Sequence, residues 1–75
     1  MADITAEQVV RRTLLDLGIE GDKIIKESFI KADLNLDSVE IVEIIVSLQK
    51  FFDFDIAVFK DIDDLTLGEV YQLVN

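Results

Sequence analysis

Seventy-five residues, 51% hydrophobic and 31% charged, suffice for one small domain, read here as a single unit over residues 1–75. The absence of Cys and His excludes disulfide scaffolds, zinc clusters, thiolate nucleophiles and imidazole bases, so any thiol chemistry must arrive on an added group. Sixteen acids against seven bases give a net charge of −9, which repels nucleic acid and anionic lipid and leaves basic protein surfaces as partners.

The first element opens on Thr5 and Gln8, spaced as a capping box, with Ile4 and Val9 as the flanking hydrophobic staple. Val10, Leu14 and Leu17 continue an apolar face at helical spacing, and Gly18 supplies a left-handed stop. A helix from about Thr5 to Leu17 is expected. Residues 18–37 show no sustained period and form a long first loop, in which a short helical turn can form. Ile24, Ile25, Phe29, Leu34 and Leu36 are its candidate anchors, with Phe29 and Leu34 expected to hold it against the helices.

Asp37 and Glu40 form a second capping pair ahead of a strong helix pattern. At about 100° per residue, Ile41, Ile45, Leu48 and Phe52 fall on the core face, while Glu40, Glu43, Ser47 and Lys50 face water. Val39, Val42 and Val46 make a third stripe between them, which a minimal core does not require. Phe52, Phe54 and Ile56 then alternate with Asp53 and Asp55, but nothing else in the chain reads as a strand to pair with them. An extended connector and a short helix around Val58 to Ile62 are expected. Thr66 and Glu69 open the last helix, with Leu65 and Val70 as staple and Leu67, Val70, Tyr71 and Val74 turned inward. The fold class is all-α: a small bundle of three main helices plus one short helix, with a long first loop.

The charge is uneven. Residues 1–31 carry six acids and five bases (net −1), residues 32–75 ten acids and two bases (net −8). No charged start followed by an apolar stretch suggests a signal peptide, and Val39 to Phe52 is too short and too often interrupted to span a bilayer. A soluble cytoplasmic monomer is expected, with no membrane and no nucleic acid partner.

Asp33, Asn35 and Asp37 match the first alternate ligands of a calcium loop, but its sixth position is Ser38 rather than Gly and its twelfth is Ile44 rather than Glu. No metal site is expected. Ser38 follows the Asp37 cap, where outward N–H groups and a positive dipole end welcome a phosphate. As a hydrolytic nucleophile it would lack a histidine base. On its own it reads as an ordinary first-turn serine.

Its surroundings change that reading. The run Ser28-Phe29-Ile30-Lys31-Ala32-Asp33-Leu34-Asn35-Leu36-Asp37-Ser38-Val39-Glu40 closely resembles the modification site of acyl carrier proteins, whose core is usually Asp-Leu-Gly-x-Asp-Ser-Leu. Asp33-Leu34, Asp37 and Ser38 match, while Asn35 stands for the Gly and Val39 for the Leu. Asn is the residue other than Gly that best accepts a left-handed backbone. The resemblance continues through Phe51-Phe52-Asp53-Phe54-Asp55-Ile56 and Leu65-Thr66-Leu67, covers nearly the whole chain and suits a freestanding carrier. Gln49, Lys50 and Ala57 depart from the pattern of fatty acid carriers, so polyketide, other secondary-metabolite and aminoacyl pathways stand beside fatty acid synthesis.

The resemblance implies a non-enzyme that carries 4′-phosphopantetheine, received from coenzyme A, on Ser38 beside Asp37. An acyl or aminoacyl cargo would ride on its thiol as a thioester. It also implies a partner face of Val39, Glu40, Val42, Glu43 and Val46. The partners would be a phosphopantetheinyl transferase and acyl-loading, condensing and tailoring enzymes with basic docking patches. A rival reading is a non-covalent acidic binding module whose valine stripe docks a basic protein.

Overall fold

A computed structural model describes residues 3–74. Helix α1 runs Ala6–Asp16, α2 Ser38–Gln49 and α3 Leu67–Val74, with 3₁₀ turns at Gly21–Lys23, Ile56–Phe59 and Ile62–Asp64. Helix α1 packs against both α2 and α3. The described residues contain no strand, only one isolated antiparallel bridge between Phe29 and Thr66. The bundle of three main helices is as expected, and all three predicted capping pairs form.

At the start of α1, the Gln8 N–H donates to Thr5 Oγ1 and the Thr5 N–H to Gln8 Oε1. Its end is equally local: Gly18 takes a positive φ of 93°, its N–H reaches the Leu15 carbonyl, and the Ile19 N–H reaches Leu14. That paired arrangement satisfies carbonyls the helix leaves over, and a side chain at position 18 would be strained. For α3, the Thr66 N–H donates to Glu69 Oε1 and the Glu69 N–H to Thr66 Oγ1.

The long loop is tied down by backbone bonds rather than by its largest side chain. The Ile30 N–H reaches the Leu65 carbonyl, the Leu67 N–H reaches Ser28, and the Gly68 N–H reaches Lys26, each at 2.9 Å. A Cβ at position 68 would sit 3.3 Å from the Lys26 oxygen, so glycine eases the last of these approaches. Around this bridge the side chains alternate as they do along a strand. Ser28 and Ile30 turn inward, and Ser28 Oγ donates to the Lys23 carbonyl at 2.7 Å. Phe29 turns outward and is 42% exposed.

The expected anchoring by Phe29 is therefore corrected to Ile30, which is fully buried, and Ile25 likewise lies half exposed. Ile24, Leu34 and Leu36 are buried as expected. The core face of α2 is also wider than its predicted stripe, since Ile44 is buried along with Ile41, Ile45 and Leu48. Glu40 and Ser47, expected in water, are half buried.

The short helix expected around Val58 to Ile62 is instead two 3₁₀ turns. Asp55 Oδ1 caps the first by accepting the Ala57 N–H, and Lys60 and Asp61 interrupt before the second begins. Aspartates that favour caps over helix interiors crowd this segment, so the turns stay short. Phe59 and Ile62 turn inward from them, and the Phe59 ring stands edge-on to Phe54 at 5.3 Å between centroids.

Two measurements check this packing. Ile30→Ala should lower unfolding free energy by about 3 kcal/mol in denaturant titration, and Phe29→Ala by about 1 kcal/mol or less. Equal losses would mean that the ring, not the isoleucine, holds the loop. Tyr71, the chain's one tyrosine, is buried, which pushes its phenol up to about 12, with the Glu7 carboxylate adding to the rise and Arg11 opposing it. The folded chain holds this proton more tightly than the unfolded chain. Stability should be unaffected by Tyr71 below about pH 10, the ordinary phenol value, and should fall as the pH climbs toward 12. A phenolate absorbance titration of the folded chain with its midpoint near 10 would contradict the burial.

Candidate functional site

Ser38 is the first residue of α2 and is exposed. Asp37 before it has an extended backbone, and its Oδ1 accepts the Glu40 N–H at 2.8 Å, while the Asp37 N–H donates to Glu40 Oε1 at 3.0 Å. Both carboxylates are thus held by backbone, which leaves the Ser38 hydroxyl uncrowded at the positive end of the helix. Asn35 explains how the chain arrives there. It adopts a left-handed φ of 51°, as its likeness to the usual glycine required, and its N–H closes the preceding turn onto the Lys31 carbonyl.

Asp33 works in the same turn, its Oδ2 accepting the Phe29 N–H at 2.8 Å. The three residues that resembled half a calcium loop are accordingly a turn brace, a left-handed corner and a helix cap. Each role is local.

Beside Ser38 lies a cleft of about 690 Å³ between the first half of α2 and the segment 59–64. Its apolar wall includes Leu36, Ile41, Ile45, Phe59 and Ile62. Ser38 and Asp37 stand at one side of it, with Lys31 and Lys60 on its lining as well. Val42 joins the cleft to the outer face of α2, where Val39, Val42 and Val46 are 68%, 54% and 46% exposed. Glu43 is exposed beside that stripe, while Glu40 is half buried by its capping bond. The predicted site residues thus share one helix: Ser38 at its tip, the valines along one side, the two glutamates alongside.

The chain is 33% identical over 73 residues to an acyl carrier protein of Chlamydia felis, an alignment covering 95% of this chain and 92% of the relative. The chain belongs to the acyl carrier protein family. A second acyl carrier protein, from Akkermansia muciniphila, is 33% identical over 57 residues, covering 75% of this chain and 71% of that one. No family model and no solved structure matches the chain.

Membership makes this protein a carrier in acyl biosynthesis rather than an enzyme. Among the described residues, no helix of the carrier is long and apolar enough to cross a membrane.

What the residue pattern did not reveal is the far wall of the cleft. Phe59, Lys60 and Ile62 come to the carrier's serine from a segment more than twenty positions away in the chain. Two bases also approach the start of this acidic helix in space: no base occurs between residues 32 and 49, yet Lys31 and Lys60 line the same cleft as Ser38. The one available signal was the scarcity of bases in the acidic part of the chain, which made each remaining lysine conspicuous.

Proposed function

We propose that Ser38 is the attachment point of a 4′-phosphopantetheine group and that the outer face of α2 is where partner enzymes dock. The observation that carries this reading is the exposed serine at the first turn of α2, at the mouth of a cleft with an apolar wall. The residues present fit such a group. An unencumbered hydroxyl accepts the phosphodiester, the helix start favours its negative charge, and the cleft has room for an extended arm.

Ser38 Oγ would form the new bond to phosphorus, and the nucleotide half of coenzyme A would leave. The hydroxyl proton would pass to a base of the transferase, since the neighbouring Asp37 carboxylate is engaged by the Glu40 N–H. Once bound, the group supplies the thiol that holds an acyl or aminoacyl cargo as a thioester. Asp37 keeps the helix start in place while the serine reacts, through its bond to the Glu40 N–H. The tether then raises the local concentration of the cargo at successive enzymes of fatty acid, polyketide or related pathways.

Docking rests on Val39, Val42 and Val46 as an apolar centre with Glu40 and Glu43 beside it. A face of this kind suits the basic patch of a phosphopantetheinyl transferase, and those of acyl-loading, condensing and tailoring enzymes. The acids steer encounter and orientation, and the valines supply the contact that excludes water.

Co-expression with a broad-specificity phosphopantetheinyl transferase, followed by intact mass, tests the attachment. The parent should gain one phosphopantetheine and Ser38→Ala none, with its melting nearly unchanged because the hydroxyl is exposed. A modified alanine variant, or an unmodified parent, would overturn the assignment; the latter would return the chain to a non-covalent docking module.

For the docking face, Glu43→Lys should slow association with the transferase, and the penalty should shrink as salt rises. Val42→Asp should weaken the complex at every salt concentration, since it sets an unpaired charge in the apolar centre. Stopped-flow association with helicity checked by circular dichroism decides it. Parent-like binding by both variants at low and high salt would move the partner site elsewhere.

A further inference from the structure

We propose that the groove between the start of α1 and the end of α2 is a second docking surface, and that it takes an acidic amphipathic segment of a protein partner. This inference stands apart from attachment at Ser38 and from the valine face. The groove holds about 370 Å³, with Ile4, Val9, Arg12, Lys50 and Phe51 in its lining.

Its apolar part exceeds what the core needs. Val9 is buried, while Ile4 and Phe51 remain 50% and 54% exposed. The neighbouring Phe52 is the ring that packs on the core, so Phe51 has no buried role. Both exposed side chains rise from fixed backbone: the Phe51 N–H reaches the Leu48 carbonyl at 3.1 Å, and Ile4 adjoins the Thr5 cap. Two polar atoms of the lining are already satisfied, since Thr13 Oγ1 donates to the Val9 carbonyl and Gln8 Oε1 accepts the Thr5 N–H. A partner can cover these atoms at little cost.

Charge selects the partner. The lining carries Arg12 and Lys50 against one acid, Asp16, whereas the cleft beside Ser38 carries four acids against two bases. Arg12 Nε lies 3.4 Å from Asp16 Oδ1, but the two side chains are 81% and 68% exposed, and so open an ion pair exchanges readily for a partner's carboxylate. Lys50 takes part in neither ion pair found among the described residues. The groove therefore favours carboxylates that the acidic start of α2 repels. A second copy of the chain brings its own charge of −9 and is held off by that repulsion. The occupant that fits is a segment of another protein, with apolar side chains for Ile4 and Phe51 and carboxylates for Lys50 and Arg12. An amphipathic helix laid in a groove makes contacts of this kind. Lys50 closes α2 at the end away from Ser38, about 18 Å along the helix, so a partner held there leaves the serine free.

The test follows amide chemical shifts of the isotope-labelled full chain during titration with two synthetic helical peptides. They share their leucines, but one carries glutamates beside them and the other lysines. The glutamate peptide should move Ile4, Val9, Ser47 and Phe51, and the lysine peptide should instead move the acidic start of α2. Lys50→Glu and Phe51→Ser should each weaken binding of the glutamate peptide by about tenfold or more, while Lys50→Arg should keep it. Both positions are exposed, so the fold should hold, which circular dichroism checks. No groove shifts with the glutamate peptide at low salt, or the same shifts with both peptides, would overturn the proposal. So would a dimer of the chain alone that Lys50→Glu dissolves, because a second copy would then be the occupant.

Discussion

Everything near the serine depends on the backbone bonds between residues 26–30 and 65–68. Ile30 to Leu65, Leu67 to Ser28 and Gly68 to Lys26 fasten the loop before α2 to the start of α3. A loop of this length with only side-chain anchors would lose much of its stabilisation to ordering entropy. Three bonds of 2.9 Å, closed over buried Ser28 and Ile30, give it a defined path. The turn from Ile30 to Leu36 then delivers Asp37 and Ser38 to the same place each time. The serine is exposed, but its position is inherited from a buried pairing.

Each helix begins with reciprocal bonds between a cap and the residue three positions on: Thr5 with Gln8, Asp37 with Glu40, Thr66 with Glu69. In a small bundle with limited core, such bonds stop the helix ends from fraying. At α2 the device has a second effect. It engages the acid next to Ser38 with the Glu40 N–H, so the serine sits beside a carboxylate that is already partnered. Stability and accessibility of the site therefore come from the same pair, Asp37 and Glu40.

Helix α2 divides its apolar side chains between a buried face and an open one. Ile41, Ile44, Ile45 and Leu48 are buried, whereas Val39, Val42 and Val46 remain open to water without contributing to that core. Apolar side chains left out of a core this small fit a carrier that must be grasped by others. The second part of the chain, with ten acids against two bases in residues 32–75, surrounds that stripe with negative charge.

Features governed by residues three or four apart were legible in the sequence: the three helix starts, the stop at Gly18 and the separate valine stripe of α2, whereas the left-handed Asn35 followed from its place in the resembled motif. Capping bonds and helical periodicity act within a turn or two, so residue order alone specifies them. Family resemblance added Ser38 as the residue to examine, and the residues alone would have left it an ordinary first-turn serine. Tertiary structure decided the rest. Whether Phe29 or Ile30 points inward depends on a bridge to Thr66, and the split of the last connector depends on Phe59 and Ile62 both finding the core across Lys60 and Asp61. The cleft beside Ser38 likewise exists only because segments distant in the chain meet there. Such contacts have no period and no local bond to announce them, because they form when separate elements compete for the same buried space.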